Sequence, residues 1–180
     1  MRIAIVFAST EGQTLKISQF IQSELIRAGH QTALLSADAA FDMDLLPYDG
    51  VILAASVHVG QYQDSMVEFA RHRAVTLNAM PTLFISVSLG AAGNSAEDWE
   101  ELAAIVGRFT EATGFHPGRV EHVAGAFRYA HYSFVKYWAL RWIEAKKDPE
   151  AVPGEDKEYT DWDSVAAKVG DWTAGLSAGT

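Results

Sequence analysis

Residues 1–14 read MRIAIVFASTEGQT, and the change of chemistry inside this stretch decides the fold. Ile3, Ala4, Ile5, Val6 and Phe7 form an apolar, β-favouring run with no turn residue, the pattern of a strand covered on both faces. Ser9, Thr10, Glu11, Gly12, Gln13 and Thr14 then place hydroxyls, a glycine and an amide between that strand and a helix predicted from about Gln13. A helix N-terminus offers unpaired N–H groups and the positive end of its dipole, so these residues compose a phosphate cradle. An ordinary capped strand-to-helix turn uses the same residue types. The stretch lacks the Lys of a Walker loop and the three-glycine spacing of a dinucleotide motif, which argues against ATP and NAD.

The composition sets outer bounds. A chain of 180 residues, 49% hydrophobic and 21% charged, can bury a sizeable core and reads as a single domain over residues 1–180. The formal charge of −9 argues against nucleic acid as a partner. There is no cysteine, so disulfides and thiol chemistry are excluded and any redox role requires a bound cofactor. The chain enters a strand without a basic leader, and no apolar run approaches membrane-spanning length. The expected placement is cytoplasmic, with peripheral contact to the cytoplasmic membrane still open.

Working outward from the first loop, Leu15, Ile17, Ile21, Leu25 and Ile26 recur at helical spacing. Thr32 to Leu35 and Val51 to Ala55 are predicted as the second and third strands, and Asp64 to about Thr76 as the second helix. Thr82 to Val87 is the fourth strand. Ser95 reads as the cap of a third helix whose apolar stripe is expected to be Trp99, Leu102, Ala103 and Val106. Trp99 is expected to anchor that helix to the sheet. The fifth strand falls near Arg119 to Ala124. An aromatic and basic helix is predicted over Ala130 to Lys147, inside an insertion spanning 129–158 whose end, Asp148 to Glu158, reads as a charged loop. A last helix follows, capped by Thr160 or Asp161, with Val165, Val169 and Trp172 inward and fraying from about Gly175. This alternation predicts an α/β fold: a doubly wound, five-stranded parallel sheet of order 2-1-3-4-5 with helices on both faces.

In that order, three loops meet at the carboxyl ends of neighbouring strands. Beside the Ser9 loop stands Ser56-Val57-His58-Val59-Gly60-Gln61-Tyr62, small, polar and aromatic, suited to a planar ligand. The third loop is Ser88-Leu89-Gly90-Ala91-Ala92-Gly93, leading to Asn94. A phosphate at the first loop and a flat ring between the other two describe FMN. A receiver domain would need an aspartate after strand three, where Ala54, Ala55 and Ser56 stand. A hydrolase would need an activated nucleophile, and no strand-turn-helix elbow of the GxSxG type orders Ser9, Ser56, Ser88, His58, His122 and His131.

The phosphate loop, AASVHVGQY at Ala54 to Tyr62, GAFRY at Gly125 to Tyr129, the long aromatic insertion and EYTDW at Glu158 to Trp162 occur in family order. Together they resemble the flavodoxin superfamily and, within it, the menaquinone-dependent protoporphyrinogen oxidase group. The resemblance implies an FMN enzyme that oxidises a porphyrinogen and reduces a quinone at the membrane. Ser9, Thr10, Glu11, Gly12, Gln13 and Thr14 would hold the phosphate; residues 56–62 and 88–93 would surround the ring. His58 is a candidate to relay a proton, and Arg128 to meet a substrate carboxylate. The second loop departs from the family pattern, with His58 and Val59 where a basic residue and an aromatic are usual. Residues 129–147 are expected to contact a membrane surface, cover the crevice or join subunits. An electron carrier between protein partners and an NAD(P)H:quinone reductase remain the alternative readings.

Overall fold

The computed structural model describes residues 1–93, 95–127 and 157–178. Strands β1 (Arg2–Ala8), β2 (Gln31–Ser36), β3 (Gly50–Ser56), β4 (Thr82–Ser88) and β5 (Arg119–Ala124) form a parallel sheet in the order β2-β1-β3-β4-β5. Helices α1 (Gln13–Arg27), α2 (Asp64–Asn78), α3 (Ala96–Thr113) and α4 (Trp162–Ala178) pack on it. The expected fold class and strand order are both present.

Alternation along β1 shows why both faces must be covered. Ile3 and Ile5 point to one side, into a core shared with Ile17, Ile21 and Leu25 of α1 and Val165, Val169 and Trp172 of α4. Ala4, Val6 and Ala8 point to the other, towards Met66 and Phe69 of α2 and Leu102, Ile105 and Phe109 of α3. Burying each large aliphatic side chain contributes about 1.5–3 kcal/mol, so a strand with no polar face is stable only between two helical layers. Because β1 pairs with β2 on one side and β3 on the other, α1 and α2 leave the sheet on opposite faces. Their departure opens the crevice at the carboxyl ends of β1 and β3.

Four local expectations are corrected. The buried stripe of α3 is Leu102, Ile105, Phe109 and Thr113; Ala103 is exposed and Val106 half-buried. Trp99 is 42% exposed and meets the His122 ring edge-on at 5.6 Å, so it touches the edge strand without being buried beneath the helix. The Phe109 ring, stacked on Phe84 at 5.0 Å, selects a face rotated around the helix axis from the one Trp99 suggests. Lys157 and Glu158 are not loop: they form β7, antiparallel to β6 (Ala126–Phe127), with Phe127 opposite Lys157 and Ala126 opposite Glu158. Finally, α4 does not fray at Gly175 but continues to Ala178, where Leu176 packs against the α1-side core. The predicted helix over 130–147 and Arg128 lie outside the described residues.

Candidate functional site: three loops at the switch point

The first loop is closed on itself. Gly12 N–H donates to Ser9 Oγ (3.0 Å), and Gly12 has φ +88°, a backbone setting that any side chain would strain. The first helical bond back into the loop runs from Lys16 N–H to Gly12 O (3.0 Å). The N–H groups of Gln13, Thr14 and Leu15 therefore precede the ladder and have no intrahelical carbonyl to meet. Thr14 is 1% exposed, yet its Oγ1 has no hydrogen-bond partner among the described residues. An unpaired buried hydroxyl costs about 1–3 kcal/mol, and here it sits in the first turn of a fifteen-residue helix. An oxyanion would satisfy this donor together with the free N–H groups.

Gln13 is used differently from its neighbour. Its Nε2 donates to Glu158 Oε2 (3.1 Å) and to Thr160 Oγ1 (2.9 Å), so the side chain is committed to a segment far along the chain. Thr160 in turn donates to the Ala124 carbonyl at the end of β5 (2.8 Å). Glu158 also accepts from Lys16 Nζ (2.6 Å) and from Trp162 Nε1 (3.0 Å). The Lys16 hydrogen bond is the chief reason that the Glu158 carboxyl is held below its ordinary range, with partial desolvation opposing it. The EYTDW segment is thus fastened to the first loop, and Asp161 accepts from Ser164 N–H (2.9 Å) as the cap of α4.

The second loop is a tight hairpin. His58 N–H donates to Gln61 O (2.7 Å) and Gln61 N–H to His58 O (3.0 Å), with Val59 at φ 51° and Gly60 at φ 73°. Positive φ at both central residues marks a type I′ turn, a setting that favours Asn-Gly and penalises a β-branched residue. Val59 is 66% exposed at the tip, and Arg108 of α3 donates to Gly60 O (3.2 Å) from outside. Tyr62 points the other way. It is 5% exposed, wedged edge-on against Phe84 and Phe109, and donates to Ser86 Oγ (2.8 Å). Burial pushes its phenol up to about 12, only partly offset by the Ser86 bond, so Tyr62 is a neutral core residue.

The third loop begins with Ser88 Oγ accepting Ala91 N–H (3.1 Å), followed by a single 3₁₀ turn over Gly90–Ala92. Ser88 O accepts Gly125 N–H (3.0 Å), and Gly125 O accepts Tyr159 N–H (3.0 Å), which ties this loop to the same EYTDW segment. Loops one and two are joined by Gln63, whose Nε2 reaches Thr10 Oγ1 (3.2 Å) and Ser56 Oγ. Gln63 occupies the cap position of α2 but makes no capping bond, because its amide spans the crevice floor.

The structure therefore brings together Ser9, Thr10, Gly12, Thr14, Ser56 and the loop of Ser88, while the Gln13 and Tyr62 side chains are engaged elsewhere. Sequence reading passed over Gln63, Lys16 and the bridging role of Glu158 and Thr160. Gln63 carries no local signal, since it lies between a loop and a helix with neither pattern. Among the described residues no cluster of His, Asp and Glu could hold a metal, and no helix is long and apolar enough to cross a membrane.

Residues 4–151 match the Flavodoxin domain family. The chain belongs to that family. It is 29% identical over 166 residues to the protoporphyrinogen IX dehydrogenase [quinone] of Escherichia coli strain K12, covering 92% of this chain and 91% of that protein. The Streptococcus pneumonia TIGR4 flavodoxin superposes over the whole of both chains with a TM-score of 0.59 at 16% identity. A Fusobacterium nucleatum flavodoxin mutant bound to flavin mononucleotide superposes with a TM-score of 0.50 at 13% identity, covering 98% of this chain and 95% of that one. These flavodoxin likenesses establish a shared fold, and the three loops lie where doubly wound proteins bind their ligands.

Proposed function

We propose that the chain is an FMN-dependent oxidoreductase that oxidises protoporphyrinogen IX or a related donor and passes the electrons to a quinone. The observation that carries this reading is Thr14 Oγ1, a buried donor at the N-terminus of α1 with no partner among the described residues, where the flavin phosphate would complete its hydrogen bonding. The likeness to the Escherichia coli quinone-linked dehydrogenase over nearly the full length of both proteins supports the donor and acceptor. FMN supplies the hydride- and electron-accepting chemistry when bound, so the protein needs no nucleophile of its own.

In this reading the backbone N–H groups of Gln13 and Thr14, with the Thr10 and Thr14 hydroxyls, hold the phosphate. Gln63 fixes the distance between the phosphate loop and the ring loop by bonding to both. Residues 56–61 and 88–93 flank the ring. His58 is assigned the proton relay, since the buried Tyr62 phenol is held neutral and turned into the core. Arg128 is assigned to the donor's carboxylate, and residues 129–147 to contact with the quinone-bearing membrane surface, which makes the protein cytoplasmic and peripheral.

The test is visible absorption of the purified chain after FMN addition, followed anaerobically by protoporphyrinogen and then by a menaquinone analogue. Bleaching by the first and recovery on the second is the expected result. FMN that binds but stays oxidised would remove the porphyrinogen as donor. Absence of FMN binding would remove the flavin reading of the three loops.

A further inference from the structure

Two adjacent residues of α1, Gln13 and Thr14, are both buried, at 6% and 1% exposure, and of the two only Thr14 has a side-chain donor left unengaged among the described residues, the amide oxygen of Gln13 being an acceptor. Gln13 uses both amide hydrogens, on Glu158 and on Thr160. Glu158 in addition takes up Lys16, the cation in the first turn of α1, which lies over the Trp162 ring at 5.1 Å. A carboxylate beside a phosphate site is unfavourable unless something neutralises it, and a lysine at a helix N-terminus opposes the dipole unless it has an anion. The Lys16–Glu158 pair resolves both conflicts and leaves the cradle to neutral donors. Glu158 also lies in β7, opposite Ala126 of β6, with Phe127 opposite Lys157.

We propose, resting on the FMN reading above, that Glu158 is a positioning residue for the phosphate cradle. It acts through the Gln13 amide to set the first turn of α1, and in doing so it couples flavin retention to the β6–β7 ladder. The coupling is reciprocal: whatever seats Glu158 tightens the cradle, and a filled cradle holds Glu158 in the ladder.

The experiment titrates FMN and riboflavin into the full chain, followed by flavin fluorescence, for the wild type, Glu158→Ala, Glu158→Gln, Gln13→Ala and the Gln13→Ala/Glu158→Ala pair. Riboflavin lacks the phosphate and isolates effects on the cradle. Glu158→Ala is expected to weaken FMN about tenfold while leaving riboflavin unchanged. Glu158→Gln keeps one carbonyl oxygen, which can face Gln13 or Trp162 but not both in their present positions, and is expected to restore part of that loss. The double variant is expected to be no weaker than Gln13→Ala alone, because the two act as one unit. Amide exchange at Lys157 and Glu158 is expected to slow on FMN addition in the wild type and not in Gln13→Ala, which gives a readout if Glu158→Ala folds poorly. Wild-type FMN affinity in Glu158→Ala, equal losses for FMN and riboflavin, additive losses in the double variant, or exchange unaffected by FMN would each overturn the proposal while leaving the flavin reading intact. A wild type that binds neither flavin would overturn both.

Discussion

The first and second loops stand side by side and are built on opposite terms. In the Ser9 to Thr14 loop the side chains are tied inward: Ser9 to Gly12, Thr10 to Gln63, Gln13 to Glu158 and Thr160. Its unresolved cost is polar: the buried Thr14 hydroxyl and the Gln13 amide oxygen have no partner among the described residues, and of the two the hydroxyl is the donor. In the Ser56 to Tyr62 loop the tip stands out in solvent, and its cost is conformational, a valine at φ 51°. One loop stores an unmet hydrogen bond and the other stores backbone strain. A missing hydrogen bond can be satisfied by a ligand, whereas a strained backbone can only shape what lies beside it. On the FMN reading proposed above, the first loop would be the place where binding energy is gained and the second the place where contour is imposed.

The change that would break this contrast most sharply is Thr14→Val. Without flavin it removes an orphaned donor, so the urea midpoint is expected to hold or rise by the equivalent of about 1 kcal/mol. With flavin it removes a hydrogen bond to a charged phosphate, so FMN affinity is expected to fall about 10- to 100-fold while riboflavin affinity is unchanged. Stability and affinity moving in opposite directions identify a group held ready for a ligand. A loss of both would make Thr14 a structural residue and erase the difference between the loops.

Next in size is Val59→Asn. It installs Asn-Gly at the centre of the type I′ turn, the pair that this geometry favours. Relief of the left-handed strain is expected to stabilise the protein by about 1 kcal/mol, read as a higher urea midpoint at unchanged slope. The same substitution exchanges an apolar tip for a polar one, so a change in quinone KM with FMN affinity unaltered would separate contour from retention. An unchanged midpoint would mean that the φ of 51° carries no strain, and the second loop would lose its part in the contrast.

What could be read from sequence follows the range of the forces involved. The β1 run and the β5 span depend on local patterning, and both stand where expected. The loops are adjacent because strand order makes them so, and strand order follows from short βαβ connections. The engagement of Gln13 could not be read, because its partner Glu158 lies 145 residues away and nothing near Gln13 marks the pairing. The inward face of α3 was missed because Trp99 looks like an anchor, whereas aromatic packing against Phe84 places Phe109 inside. Gly175 weakens a helix by about 1 kcal/mol on propensity and so suggests an early end to α4, a penalty that the packing of Leu176 against the core outweighs. In each miss a tertiary contact overrode a local preference.

The smallest expected effect concerns pH, and it sharpens the contrast by its sign. The Glu158 carboxyl lies below its ordinary value of 4.5, chiefly through the Lys16 hydrogen bond, with Gln13 and Trp162 adding to it and desolvation opposing. A carboxylate depressed in the folded state contributes stability that is complete above the unfolded value and is lost as pH falls through the folded one. The first loop is therefore expected to be indifferent to pH between about 7 and 5 and to weaken progressively below about 4.5. The Tyr62 phenol beneath the second loop, at about 12, stays neutral across the whole of that range and contributes no such slope. His122, held low by burial with Lys168 adding, behaves differently again: its contribution is complete above about 6.5 and declines as the unfolded imidazole takes up a proton below it. Urea midpoints from pH 7 to 3.5 are expected to show wild type and Glu158→Gln running parallel above pH 5, with the wild type losing more below 4.5. The difference is modest because the Glu158 side chain is 32% exposed and water screens the pair. The His122 titration is common to both chains and leaves them parallel; divergence already between pH 6.5 and 5 would mean that the Glu158 carboxyl takes up its proton above its ordinary value, and the Lys16–Glu158 pair would cease to distinguish the first loop from the second.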